Sequence, residues 1–106
     1  MIDPQTVQKA IGILLSAAPK GSKVILFGSY ARGQAQEHSD LDFLVVEPQV
    51  NGRIQEAARL DRALRGVRVS LDVLVVSQAA FEEWKDTPNT AIYAAAREGK
   101  VFSEVA

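Results

Sequence analysis

Residues 26–46, LFGSYARGQAQEHSDLDFLVV, run from one apolar segment to another. The first, Lys23 to Phe27 (KVILF), is short and β-branched and stops at Gly28-Ser29, which predicts a strand and a turn. The second, Asp42 to Val46 (DFLVV), predicts another strand. Asp40 and Asp42 stand at its head. A carboxylate taken out of water costs free energy unless it is paired, so two at the mouth of a buried strand need a physical reason. Side chains two apart on a strand share a face. Asp40 and Asp42 therefore point the same way, and Leu44 and Val46 continue that face.

The flanking sequence supplies the rest of the architecture. Asp3-Pro4 predicts a helix start, an N-cap acceptor followed by proline at the first helical position. Val7, Ile11, Leu14, Leu15 and Ala18 recur on one face, and Pro19 to Ser22 ends the helix. Tyr30 to Gln36 has room for a short helix. Glu47 to Gly52 is a loop with Pro48 and Asn51-Gly52 as breakers. Ile54, Ala57, Leu60 and Leu64 suit an amphipathic helix, and Val67 to Val76 a third strand. Ser77 caps a helix carrying Phe81 and Trp84. Thr87-Pro88 starts a last one, with Ile92, Ala95 and Ala96 inward and Gly99 closing it. Lys100 to Phe102 adds a short edge strand. A helical crossover between the second and third strands predicts a parallel, right-handed pair. The short link between the first two predicts an antiparallel pair. The expected fold class is α/β (α+β): a small mixed β-sheet with helices packed on one face.

The third strand repeats the acidic pattern, because Asp72 is followed on its own face by Leu74 and Val76. The two stretches read alike, DFLVV and DVLVV. Parallel neighbours in that register would set Asp42 and Asp72 side by side, about 5 Å apart. Two carboxylates about 4 to 5 Å apart repel by on the order of 3 to 4 kcal/mol at an effective dielectric near 20. A divalent cation relieves that repulsion, and oxygen-only ligands suit Mg²⁺ or Mn²⁺. Two such ions about 4 Å apart can clamp a phosphoryl transfer. The Gly28-Ser29 turn offers the other half of such a site: no Cβ to bar a ligand, a hydroxyl donor, and the free N–H groups of a following helix start. Each feature alone has a plainer reading as a turn, a solvated strand edge, or a wet face shared by Asp72, Arg68 and Ser70. Their combination at one end of one sheet favours Asp40, Asp42 and Asp72 as metal ligands and Gly28-Ser29 as a phosphate turn. Arg32 either joins the phosphate or pairs on the surface.

The chain has 106 residues, 47% apolar and 24% charged, with a net charge of −1, which fits one domain spanning residues 1–106. The near-neutral balance argues against a broad nucleic-acid footprint but leaves room for a nucleotide. The absence of cysteine excludes disulfides and cysteine-bound zinc. No apolar run approaches the ~20 residues of a membrane span, and MIDPQTVQKA carries no secretory pattern, so the expected location is cytoplasmic, with no membrane partner. Arg53, Arg59, Arg62, Arg65 and Arg68 are interrupted by Glu56 and Asp61 and read as a solvated helix face. His38 reads as a loop residue. Phe81, Trp84 and Tyr93 read as core residues or as a docking surface.

Gly28-Ser29, ten intervening residues, then Asp40-Leu41-Asp42 resembles the signature of the polymerase-beta-type nucleotidyltransferase superfamily. The fuller string GSYARGQAQEHSDLDFLVV resembles its minimal nucleotidyltransferases (MNT) of prokaryotes. Asp72 in VSLDVLVV matches the third carboxylate, and DTPNTAIYAAAREGKVF resembles that subfamily's C-terminal helix and tail. The resemblance implies an ATP-binding, Mg²⁺-dependent enzyme. Gly28 and Ser29 would bind the triphosphate, and Asp40 and Asp42 would ligate both metal ions. Asp72 would complete the metal site and help activate an acceptor hydroxyl. It also implies an antitoxin that transfers AMP from ATP to a tyrosine of a helical HEPN-type toxin, in a hetero-oligomer. No extra acceptor-binding domain is visible, which fits an acceptor brought by a partner. The alternatives are a non-catalytic antitoxin that works by occlusion, and a stand-alone transferase acting on a small-molecule acceptor.

Overall fold

The computed structural model describes residues 2–104. Helix α1 (Pro4–Ala17) starts where Asp3 accepts a hydrogen bond from the Gln5 N–H at 2.9 Å, as its capping sequence predicts. It buries Val7, Ala10, Ile11 and Leu14. Strand β1 (Lys23–Phe27), the single turn α2 (Ser29–Arg32), β2 (Leu41–Glu47), α3 (Arg53–Ala63), β3 (Leu71–Ser77), α4 (Gln78–Trp84), α5 (Ala91–Glu98) and β4 (Lys100–Ser103) follow. The four strands form one sheet in the order β3-β2-β1-β4. Strand β1 runs antiparallel to β2 and β4, and β2 runs parallel to β3. Both orientations match what the lengths of the connections dictate.

Helices cover both faces of the sheet, not one. Val24, Leu26, Leu41, Phe43, Val45 and Val75 pack on one side with Val7, Ile11 and Leu14 of α1 and with Leu60 and Leu64 at α3. Ile25, Leu44, Val46 and Val76 pack on the other, against Ala80 and Phe81 of α4 and Ile92 and Ala95 of α5. The physical reason lies in β2. Leu41 and every residue from Phe43 to Glu47 are buried, and a strand covered on both sides reads as a continuous apolar run instead of an alternating one. Each buried Leu or Phe there contributes roughly 1.5 to 3 kcal/mol.

Two boundaries and two burial assignments differ from expectation for local reasons. Strand β3 begins at Leu71, not Val67, because β2 begins at Leu41 and the register pairs Leu41 with Leu71. Residues 67–70 have no strand opposite them, and the Val67 N–H donates back to the Leu64 carbonyl at 2.8 Å. Helix α5 begins after Thr90, not at Thr87-Pro88. Asn89 breaks the chain with φ 67°, and the Thr90 hydroxyl accepts from the Tyr93 N–H at 3.0 Å. Ile54 (77% exposed) and Ala96 (exposed) do not join the inward stripes assigned to them. Among the described residues no helix is long and apolar enough to cross a membrane.

Candidate active site

Two strand registers assemble the acidic end of the sheet. In the antiparallel pair Phe27 lies opposite Asp42, which brings the Gly28-Ser29 turn beside that aspartate. In the parallel pair Asp42 lies level with Asp72, so the two carboxylates share a face, as the paired DFLVV and DVLVV stretches predict. The Leu41 N–H donates to the Ser70 carbonyl at 3.1 Å, tying the head of β2 to the chain entering β3. Upstream, Gln36 and Ser39 close a turn in which the Ser39 hydroxyl accepts from the Gln36 N–H at 2.8 Å. That turn delivers Asp40 to the residue just before β2. Asp42 is half-buried, whereas Asp40 and Asp72 are exposed.

The charges of the three interact. The Asp42 carboxyl is raised above its ordinary range, first by burial, then by the negative charges of Asp72 and Asp40, while Arg32 opposes the rise. This is the repulsion expected of carboxylates crowded at one strand end. Among the described residues no three His, Cys, Asp or Glu side chains stand close enough to form a metal cage by themselves. The donor set nonetheless fits a hard divalent ion: it is all carboxylate oxygen, and a cation removes the repulsion that raises Asp42. The neighbouring turn packs closely against Asp42. Gly28 adopts φ 78°, ψ −157°, and a Cβ there would collide with the Asp42 carboxylate. That backbone region is essentially reserved for glycine.

The turn after Gly28 is shorter than the Tyr30–Gln36 helix expected. Gly33, with φ 70°, stops α2 after Arg32, and the Gln34 N–H donates to the Ser29 carbonyl at 2.9 Å. One helical turn carries little macrodipole, so the helix end alone offers little to an anion. Arg32 is not a free surface residue. Its Nη1 donates to Glu98 at the end of α5 at 2.9 Å, and its Nε donates to Gln34 at 3.2 Å. Glu98 was not singled out by sequence, and no local pattern connects residues 66 apart. Tyr30, inside the motif, donates nothing to the carboxylates; its hydroxyl accepts from the Ile2 N–H at 2.8 Å and ties down the N-terminus.

The remaining candidates separate cleanly. His38 is an exposed loop residue. Arg53, Arg59, Arg62, Arg65 and Arg68 are exposed, and Arg59 pairs with Glu56 at 2.7 Å. Phe81, half-buried, packs from α4 against the core. Tyr93 is half-buried with Arg97 5.0 Å from its ring centre. Trp84, 44% exposed, lines an apolar groove of about 590 Å³ along the outer edge of β3, with Ile54, Leu74 and Ile92.

A family model described as a nucleotidyltransferase domain matches residues 7–99. Among solved structures, a candidate nucleotidyltransferase from Sulfolobus solfataricus superposes with a TM-score of 0.62 at 20% identity, covering 92% of this chain and 77% of its own. A toxin–antitoxin pair named MntA-HpeT, in a doubly substituted form, gives 0.59 at 18% identity, covering 92% and 73%. A toxin–antitoxin crystallised with AMP-PNP gives 0.55 at 22%, covering 97% and 75%. At these identities the likeness is one of fold. Among curated proteins none matches the sequence closely enough to count as a relative.

Proposed function

From the premise that this chain belongs to the nucleotidyltransferase domain family, we propose that it transfers AMP from ATP to a hydroxyl, a tyrosine of a HEPN-type toxin, and so acts as its antitoxin. The observation that carries the reading is the level pairing of Asp42 with Asp72 beside Gly28. In this reading residues 1–106 act as one cytoplasmic domain in a hetero-oligomer with the toxin. Two neighbours in fold are toxin–antitoxin structures, one of them holding AMP-PNP, which supports the choice of partner and nucleotide.

The chemistry assigned to each residue follows from its type and position. Asp40, Asp42 and Asp72 would hold Mg²⁺, or Mn²⁺, as one ion or two. When bound, the metal supplies positive charge that neutralises the phosphates and polarises the reacting oxygens. Gly28 presents its backbone to the phosphate chain, the Ser29 hydroxyl donates to a phosphate oxygen, and Arg32 offsets the phosphate charge. Asp72 takes the proton from the acceptor hydroxyl. That oxygen bonds to the α-phosphorus, the bond to the β-phosphate oxygen breaks, and pyrophosphate leaves with its electron pair. The proton passes to solvent.

The test uses ATP labelled at the α-phosphate, Mg²⁺, and the protein encoded by the adjacent reading frame. The expected result is label on the neighbour, lost in Asp40→Asn. No label, together with full neutralisation by Asp40→Asn, rejects the enzymatic reading. The second reading, an antitoxin acting by occlusion, is favoured by the apolar groove beside β3 and by carboxylates that do not by themselves form a metal cage. Retained neutralisation by Asp42→Asn selects it.

A further inference from the structure

We propose that Glu98 is a positioning residue for nucleotide binding, holding the Arg32 guanidinium in readiness for a triphosphate. This deepens the reading above and rests on it. Arg32 is the last residue of α2, one turn from Gly28, and its Nη1 donates to the Glu98 carboxylate at 2.9 Å while its Nε donates to Gln34 at 3.2 Å. Two of its three nitrogens are thus held, one by the end of α5 and one by the loop that follows α2. The positive charge so held is felt by Asp42, whose raised carboxyl it partly offsets.

The pair does little for the fold. Its side chains are 42% and 39% exposed, and ion pairs as wet as this contribute little to stability. Its partner is nonetheless rigidly mounted. Glu98 closes α5, and the next residue, Gly99, approaches β1 so closely that a Cβ would collide with the Ile25 side chain and the Ala95 carbonyl. The Gly99 N–H donates to that carbonyl at 3.0 Å, and Ala95 is buried at 1% exposure. Glu98 therefore stands on a post fixed to β1, the strand that ends at Phe27, next to Gly28. A free arginine loses much rotamer entropy when it closes on a ligand. An arginine already held loses less, and the difference appears in binding, not in the chemical step.

The experiment is equilibrium binding of Mg-ATP to the full chain, followed by kinetics and melting. Glu98→Ala should weaken Mg-ATP binding roughly three- to tenfold and raise KM by the same factor, with kcat within about twofold. Glu98→Gln, which keeps an acceptor for Nη1, should bind within about twofold of the parent. The double variant Arg32→Ala with Glu98→Ala should bind no worse than Arg32→Ala alone, because Glu98 acts through Arg32. Melting temperatures should stay together. Parent-like binding by Glu98→Ala overturns the inference and leaves the proposed activity standing. So does an additive loss in the double variant. A parent chain that binds no Mg-ATP overturns both.

Discussion

At the scale of single residues, Gly28 and Asp42 constrain each other. Gly28 has a backbone conformation other residues avoid, and its missing Cβ is the space the Asp42 carboxylate uses. Gly28→Ala should cost about 1 to 3 kcal/mol from backbone strain alone and should also displace Asp42. Thermal unfolding should show the loss, and transfer activity should fall with it. Asp42→Asn should separate the two. Its carboxyl is raised in the folded state by burial and by Asp72 and Asp40. A raised carboxyl lowers stability as pH climbs from the unfolded value through the folded one, so the neutral amide should melt no lower than the parent at pH 7. Transfer should drop by on the order of 10²-fold or more, the scale for removing one group that stabilises developing charge. A variant that melts well below the parent makes Asp42 a structural residue.

At the scale of elements, α5 couples the C-terminal half of the chain to the site. The Thr90 hydroxyl caps it and also donates to the Thr87 carbonyl at 2.9 Å. Thr90→Ala should cost about 1 kcal/mol, visible as a melting temperature lower by several degrees. The strands were legible because their signals are local and mutually consistent. KVILF, DFLVV and DVLVV are apolar and bounded, and the helix between the last two requires a parallel crossover. That logic sets Asp42 level with Asp72 from the sequence alone, and the register agrees. Coverage of the second sheet face was less legible, since an unbroken apolar run such as FLVV implies cover on both sides without naming the elements that supply it. Ile54 has the spacing of a core residue, yet it stays exposed and lines the groove beside β3. Glu98 was invisible because nothing in an exposed glutamate at a helix end names an arginine far back in the chain.

At the scale of the whole molecule, the end of the sheet remote from the aspartates carries a second acidic group with a different role. Glu47, the last residue of β2, is only 2% exposed, and its Oε2 has no partner among the described residues. Burial, then the adjacent Glu56 carboxylate, pushes it up to about 7. Glu56 is held down at about 2, chiefly by Arg59. Arg59 also donates to the Ala17 carbonyl at 2.8 Å, so the cluster joins β2, α3 and the end of α1. A protonated Glu47 supplies the donor that two facing carboxylates lack. Its contribution is fully present below the ordinary glutamate range and is lost as pH rises toward about 7. Glu56 contributes in the opposite sense, losing its share as pH falls toward about 2. The parent should therefore be more stable near pH 5 than at pH 8, by on the order of 3 kcal/mol at most, visible as a higher melting temperature. Glu47→Gln should flatten that slope, and an unchanged slope would move the titration elsewhere. The level pairing of β2 with β3 has a last consequence, for insertions. Because alternate residues face opposite sides, one residue added between Asp72 and Val73 would rotate the aspartate toward α1 and α3 while leaving Val75 and Val76 seated. The same addition at Gly66, which has open space around it, would be taken up by the connection. The chain should thus accept a lengthened link and reject a lengthened strand, with binding of nucleotide as the readout.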